Sequence, residues 1–140
     1  MSSDPSFYDE LKNSFPKMCS SIYGGVWIGE GWKPIVRALC ANIQNHIDTT
    51  NRWRAQYRPE LEQIEQVTVE QIKEKFGGLR FYYSGGDEYI NGLVEMAESW
   101  ADNTCETCGK PGEVRDNFGW MITLCDEHHQ ERLDSKNGRT

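Results

Sequence analysis

At 140 residues with 37% hydrophobic content, the chain has the size of one globular domain with a modest core. Its 22 Asp and Glu outweigh 15 Lys and Arg, for a formal net charge of −7, which excludes a general affinity for nucleic-acid phosphates unless a local basic patch acts. No apolar run is long enough to span a bilayer, and the N-terminus lacks a signal peptide's basic start and apolar centre, so a cytoplasmic location is expected.

Taken in order, the chain begins with a helix signal at Asp4-Pro5, with Asp4 as cap and Pro5 in the first turn. Phe7 and Leu11 lie one turn apart and face inward, and Pro16 ends the element. From Ser20 to Gly31 the chain is glycine-rich, with Tyr23, Val26, Trp27 and Ile28 interleaved. It reads as a short hairpin or an ordered loop. Pro34 opens the clearest helix, whose apolar stripe is Val36, Leu39, Cys40, Ile43 and Ile47. Asp48 to Asn51 is read as its end. Arg52-Trp53-Arg54, with Tyr57-Arg58, then forms a loop in which arginines alternate with aromatics, and Arg52 and Arg54 become candidate anion contacts.

Pro59 to Gln66 reads as a short helical turn or two, and Val67 to Lys75 as a strand. Phe76-Gly77-Gly78-Leu79 suggests a hairpin turning on both glycines. That register opposes Phe76 to Leu79, Glu74 to Phe81 and Ile72 to Tyr83. Ile72, Phe76, Leu79, Phe81 and Tyr83 then share a core face with Glu74. Lys73, Lys75, Arg80 and Tyr82 make a basic patch on the other, where charges on a wet sheet face would also be ordinary. Asp87 can cap a second long helix with the stripe Ile90, Leu93, Val94, Ala97, Trp100 and Ala101. Its outer face carries Glu88, Glu95, Glu98 and Asp102, and no basic residue falls between Ser84 and Thr107.

The stretch from Cys105 to His129 carries the chemistry. A Cys105-x-x-Cys108-Gly turn brings two sulfurs together, and the glycine lets the backbone fold back with positive φ. Cys125 and His128, after a 16-residue gap, complete a Cys3His set of the kind Zn2+ prefers. His128 is preferred to His129 because C-x-x-H spacing sets it one helical turn from Cys125. Between the pairs, Glu113–Asp116 and Trp120–Leu124 read as strands turning at Asn117-Phe118-Gly119. Asp126-Glu127 suits the first turn of a helix. Knuckle, hairpin and helix together outline a treble-clef zinc finger. A redox C-x-x-C would not call for the second pair. Cys19 and Cys40 remain, a reduced rather than disulfide-framed usage.

These elements predict an α+β fold: a helical core with a β-hairpin over residues 1–104, a zinc finger over 105–134 packed on it, and a flexible tail at 135–140. The segment KEKFGGLRFY from Lys73 to Tyr82, with Cys105-Glu-x-Cys-Gly-x-Pro-Gly and Gly119-Trp-x-x-Thr-Leu-Cys125, resembles a family of small uncharacterised phage and bacterial proteins. Gly31-Trp32 and the helix after it also resemble that family's front part. The resemblance covers roughly residues 25 to 130 and implies a prokaryotic or viral source, without an activity.

Catalysis is not expected. A Cys3His set leaves zinc no position for water. The finger also resembles HNH-type nucleases in outline, but these need a general-base histidine on the hairpin, and Glu113 to Leu124 contains none. His46 lies on the earlier helix and reads as solvated. Three readings follow: a zinc-stabilised accessory protein binding a host or phage protein through its acidic helix and exposed aromatics; a nucleic-acid binder using the basic hairpin face; and a divergent treble-clef nuclease.

Overall fold

The computed structural model describes residues 5–136, so the expected cap at Asp4 and the end of the tail lie outside the described residues. Helix α1 (Pro5–Ser14) buries Phe7 and Leu11, and Pro16 opens a short helix α2 (Pro16–Cys19) rather than only closing α1. A proline in the first helical turn loses no intrahelical hydrogen bond, which explains the immediate restart.

The glycine-rich stretch is not a hairpin. It contributes one short strand, β1 (Val26–Trp27), which pairs in parallel with β2 (Thr68–Lys75). Strand β3 (Gly78–Ser84) pairs antiparallel with β2 on its other side, giving the order β1-β2-β3.

The hairpin register differs from the predicted one by two residues. Lys75 opposes Gly78, Glu74 opposes Leu79, and Ile72 opposes Phe81. The turn falls on Phe76-Gly77, with φ of 54° and 81°. A type I′ turn needs positive φ at both central residues, and its twist matches that of the strands it joins. Phe76 thereby leaves the core face and stands 68% exposed. Because side chains alternate with period two, the two-residue shift keeps the other assignments on their faces. Ile72, Leu79 and Phe81 are buried, and Tyr83 is half-buried against them.

Helix α3 (Lys33–Tyr57) runs past the predicted stop at Asp48 to Asn51. Asn51 is not a terminator: its side chain donates to the Ile64 carbonyl at 3.1 Å and accepts from the Ile64 N–H at 2.7 Å. These bonds tie the helix's last turns to the segment before β2, which holds a turn at Pro59-Glu60 but no helix. Arg52 and Arg54 accordingly sit on a helix, not in a loop.

Asp87 caps helix α4 (Glu88–Asp102) by accepting from the Ile90 N–H at 3.0 Å. Ile90, Val94, Ala97 and Ala101 are buried as predicted, but Trp100 is 50% exposed. Glu98, expected on the outer face, accepts from the Phe81 N–H at 3.1 Å. That bond satisfies a donor on β3, an edge strand of the sheet. Nor is His46 solvated. Its Nε2 lies 2.9 Å from Asp87 Oδ2 and its ring stacks on Tyr89 at 4.1 Å, so it locks α3 to the start of α4.

The C-terminal part holds β4 (Glu113–Arg115), β5 (Ile122–Leu124) and α5 (Asp126–Lys136). The strands are antiparallel, with Val114 opposite Thr123. The helix reaches Lys136, so Ser135 and Lys136 are helical rather than tail. Lys136 donates to the Asn117 carbonyl at 2.6 Å and helps hold that end.

Candidate metal centre

Cys105 and Cys108 sit on a tight knuckle in which the Gly109 N–H donates to the Cys105 carbonyl at 2.9 Å. Gly109 has φ of 86°, the positive value expected after the second cysteine. Strand β5 delivers Cys125, and the first turn of α5 delivers His128. Arg115 fixes this junction by donating to the Leu124 carbonyl at 3.1 Å and to Asp126 Oδ1 at 2.9 Å.

The four donor atoms of Cys105, Cys108, Cys125 and His128 all lie within 4.8 Å of one another. Cys108 and Cys125 sulfurs are 3.8 Å apart, while His128 Nδ1 is 3.3 Å from Cys125 Sγ and 3.7 Å from Cys105 Sγ. Tetrahedral zinc bonds of about 2.3 Å to sulfur and about 2.0 Å to nitrogen imply separations of about 3.8 Å between sulfurs and about 3.5 Å from sulfur to nitrogen. The donor set therefore fits a metal ion in both chemistry and spacing. Burial pushes the Cys105 thiol up, but backbone N–H groups of Cys125, Cys108 and Thr107 outweigh it and bring the thiol down to about 6. A thiol so lowered is readily available as the thiolate a metal requires.

His128 belongs to the cluster and His129 does not. The Nε2 of His129 lies 2.8 Å from Asn117 Oδ1, and its ring packs edge-on to Phe118. The second nitrogen of His128 lies 3.4 Å from Glu131 Oε2. A carboxylate there orients the ring of a metal-binding histidine.

Two other segments grip the knuckle. Gly31 donates its N–H to the Glu106 carbonyl at 2.7 Å, Gly29 donates to the Glu106 carboxylate at 3.0 Å, and Trp32 Nε1 donates to the Thr104 carbonyl at 2.8 Å. A Cβ on Gly31 would lie 2.0 Å from the Cys105 carbonyl oxygen, so only glycine allows this approach. From the hairpin tip, the Gly77 carbonyl accepts from the buried Thr123 hydroxyl at 2.6 Å. Burial pushes the Glu106 carboxyl up to about 7, against the lowering effect of the Gly29 N–H.

The basic candidates divide. Lys73 faces Arg80 across the hairpin, Lys75 faces Gly78, and Gln71 faces Tyr82, so these four candidates share one face. The Arg80 guanidinium and the Asp102 carboxylate both crowd the position a Gly78 side chain would take, so an acidic group reaches into the patch. Arg52 and Arg54 belong to the far end of α3. The hairpin tip and Trp32 both meet the finger at the other end, and the 20 or so residues between correspond to about 30 Å of helix. Arg54 is engaged with the Glu62 carbonyl at 2.6 Å. The two groups of cations do not form one surface.

Sequence reasoning passes over the Gly29–Glu106 contact and the His46–Asp87 lock, which join residues far apart in the chain. It also misses a groove of about 540 Å³ beside the centre, lined by Phe118, Trp120, His128, Glu131, Arg132 and Lys136. Compared with known proteins, the chain matches no family model, no curated protein and no solved structure.

Proposed function

We propose that the chain is a zinc-stabilised, non-enzymatic accessory protein of a phage or bacterium, acting by binding another protein. The observation that carries this is the closed donor set. Three sulfurs and His128 Nδ1 converge within 4.8 Å, so four protein ligands fill a tetrahedral ion and leave no site for a reactive water. The ion would hold the finger together, with chemistry limited to coordination. Large exposed apolar side chains, including Tyr89, Met96 and Trp100, supply contact area for a partner.

Zinc content and capture experiments test the two halves separately. Protein purified without chelators should carry one zinc per chain, retained by Cys19→Ser and His129→Ala and lost by Cys125→Ser and His128→Ala. Capture from a host lysate should survive nuclease treatment.

The pairing of Lys73 with Arg80, with Lys75 alongside, supports a second reading in which this face binds nucleic acid. The acidic reach of Asp102 and the net charge of −7 weigh against it. Three cations predict weak binding with a shallow salt dependence. A gel-shift titration at low salt, to tens of micromolar protein, should show no shift. A shift abolished by reversing the charges of Lys75 and Arg80 would favour the second reading.

A further inference from the structure

Helix α4 carries two apolar stripes, and only one is spent on the core. Ile90, Val94, Ala97 and Ala101 are buried. Tyr89, Leu93, Met96 and Trp100 follow at spacings of three and four and form the second, with Tyr89 61%, Met96 72% and Trp100 50% exposed. Leu93, Met96 and Trp100 line a shallow groove of about 100 Å³ between α3 and α4, whose opposite wall is Ile35, Ala38, Leu39 and Asn42. Ala38 and Asn42 are small, so a third element can approach α3 closely. Tyr89 is held at one end of the stripe by its stack on His46.

At about 100° per residue, Glu88 and Glu95 fall together on the solvent side of this stripe, while Asp102, farther round the helix, reaches toward Gly78 and Arg80. Glu88 and Glu95 are exposed. No Lys, Arg or His occurs anywhere on α4. The groove is thus apolar along its floor, and beyond Gly92 and Ser99 at its edge runs an acidic rim of Glu88 and Glu95.

We propose that this groove is the docking site for an amphipathic helix of another protein, with apolar residues at i, i+3 or i+4 and i+7 and a Lys- or Arg-rich flank. This rests on the protein-binding reading above and names the partner's chemistry. A helix laid between two helices buries its apolar face in such a groove, and its cations meet the acidic rim. A second copy of this chain would bring the same acidic rim against itself, and an anionic membrane surface would be repelled.

Two synthetic helical peptides with the same apolar stripe test the proposal, one flanked by Lys and one by Glu. Each is titrated into the zinc-loaded full chain with amide chemical shifts as readout. The Lys peptide should perturb Ala38, Asn42, Leu93, Met96 and Trp100, and the Glu peptide should bind at least tenfold more weakly. Met96→Asp with Trp100→Ser should weaken the Lys peptide at least tenfold. Both residues are exposed, and unchanged circular dichroism and zinc content would verify the fold. Glu88→Lys with Glu95→Lys should reverse the preference between the peptides. Shifts elsewhere, or none with either peptide, overturn the proposal, as does a concentration-dependent dimer in sedimentation that Met96→Asp dissolves. Lysate capture with the same variants separates the two levels. A nuclease-resistant partner still held by the Met96/Trp100 variant overturns the groove and leaves the protein-binding reading standing. A wild-type chain that captures only nucleic-acid-dependent material defeats that reading itself.

Discussion

The core and the finger are built on different physics. The core buries apolar side chains from α1 to α4 and from all three strands of its sheet, among them Trp32, Ile43, Ile72 and Ile90. The finger's own cluster is Phe118, Ile122 and Leu124 with Cys105 and Cys125, and α5 contributes no buried residue. Hydrophobic burial of that extent cannot offset the ordering of some thirty residues, each costing about 1–2 kcal/mol in backbone entropy. The finger therefore depends on its dock against the core and, on the reading proposed above, on a bound metal. One chain therefore contains a region that holds itself and a region that is held.

Metal removal is the largest perturbation of that contrast. Structural zinc supplies apparent binding energies of about 10–16 kcal/mol in isolated fingers. Chelation, or Cys125→Ser, should open β4, β5 and α5 while α3, β2 and β3 keep their order. Hydrogen exchange resolves the two regions. Equal protection of both after chelation would erase the distinction.

The dock should come next. Trp32→Ala removes a fully buried indole and the bond to Thr104, with an expected loss of about 3–5 kcal/mol. Gly31→Ala should loosen the finger selectively, because its Cβ would collide with the Cys105 carbonyl. Thermal denaturation of the zinc-loaded variants measures the first, and the rate of zinc release to a chelator measures the second. Unchanged release from Gly31→Ala would mean that the dock does not support the metal centre.

Smaller still is the tie from the hairpin tip. Thr123→Val leaves the buried Gly77 carbonyl without its hydroxyl donor, at a cost of about 1–3 kcal/mol in chemical denaturation. The loss should shrink in a chelated protein, since the finger then no longer presses on the tip.

The smallest effect belongs to the core alone. Asp87→Ala should cost about 1 kcal/mol by removing the cap of α4. Burial raises the Asp87 carboxyl, but His46 and the Ile90 N–H outweigh it and hold it below its ordinary value. A lowered folded value means that the carboxylate's contribution is present above the ordinary aspartate range and fades as pH falls through the lowered one. Wild type and Asp87→Ala should therefore converge in stability at acid pH. A constant gap would remove the charge from the account and leave only packing.

Local chemistry made much of this molecule legible. The spacing of Cys105, Cys108, Cys125 and His128 marks a candidate metal site, because donors one turn apart on a knuckle or a helix lie close together. The stripe of α3 and the cap at Asp87 are likewise short-range, and the strand alternation survives even a register error. Tertiary structure decided the rest. Asn51 looks like a helix terminator until Ile64 satisfies its side chain. Phe76 looks like core until a type I′ turn sets it outside. Trp100 completes an apolar stripe on paper, but α4 meets α3 along a narrower seam and leaves it on the groove. Gly29, Gly31, Gly77, Glu106 and Thr123 read separately as turns, spacers and strand positions, and only folding makes them one interface. Their sequence separations are large and their bonds run mainly through the backbone, so neither periodicity nor motif could bring them together.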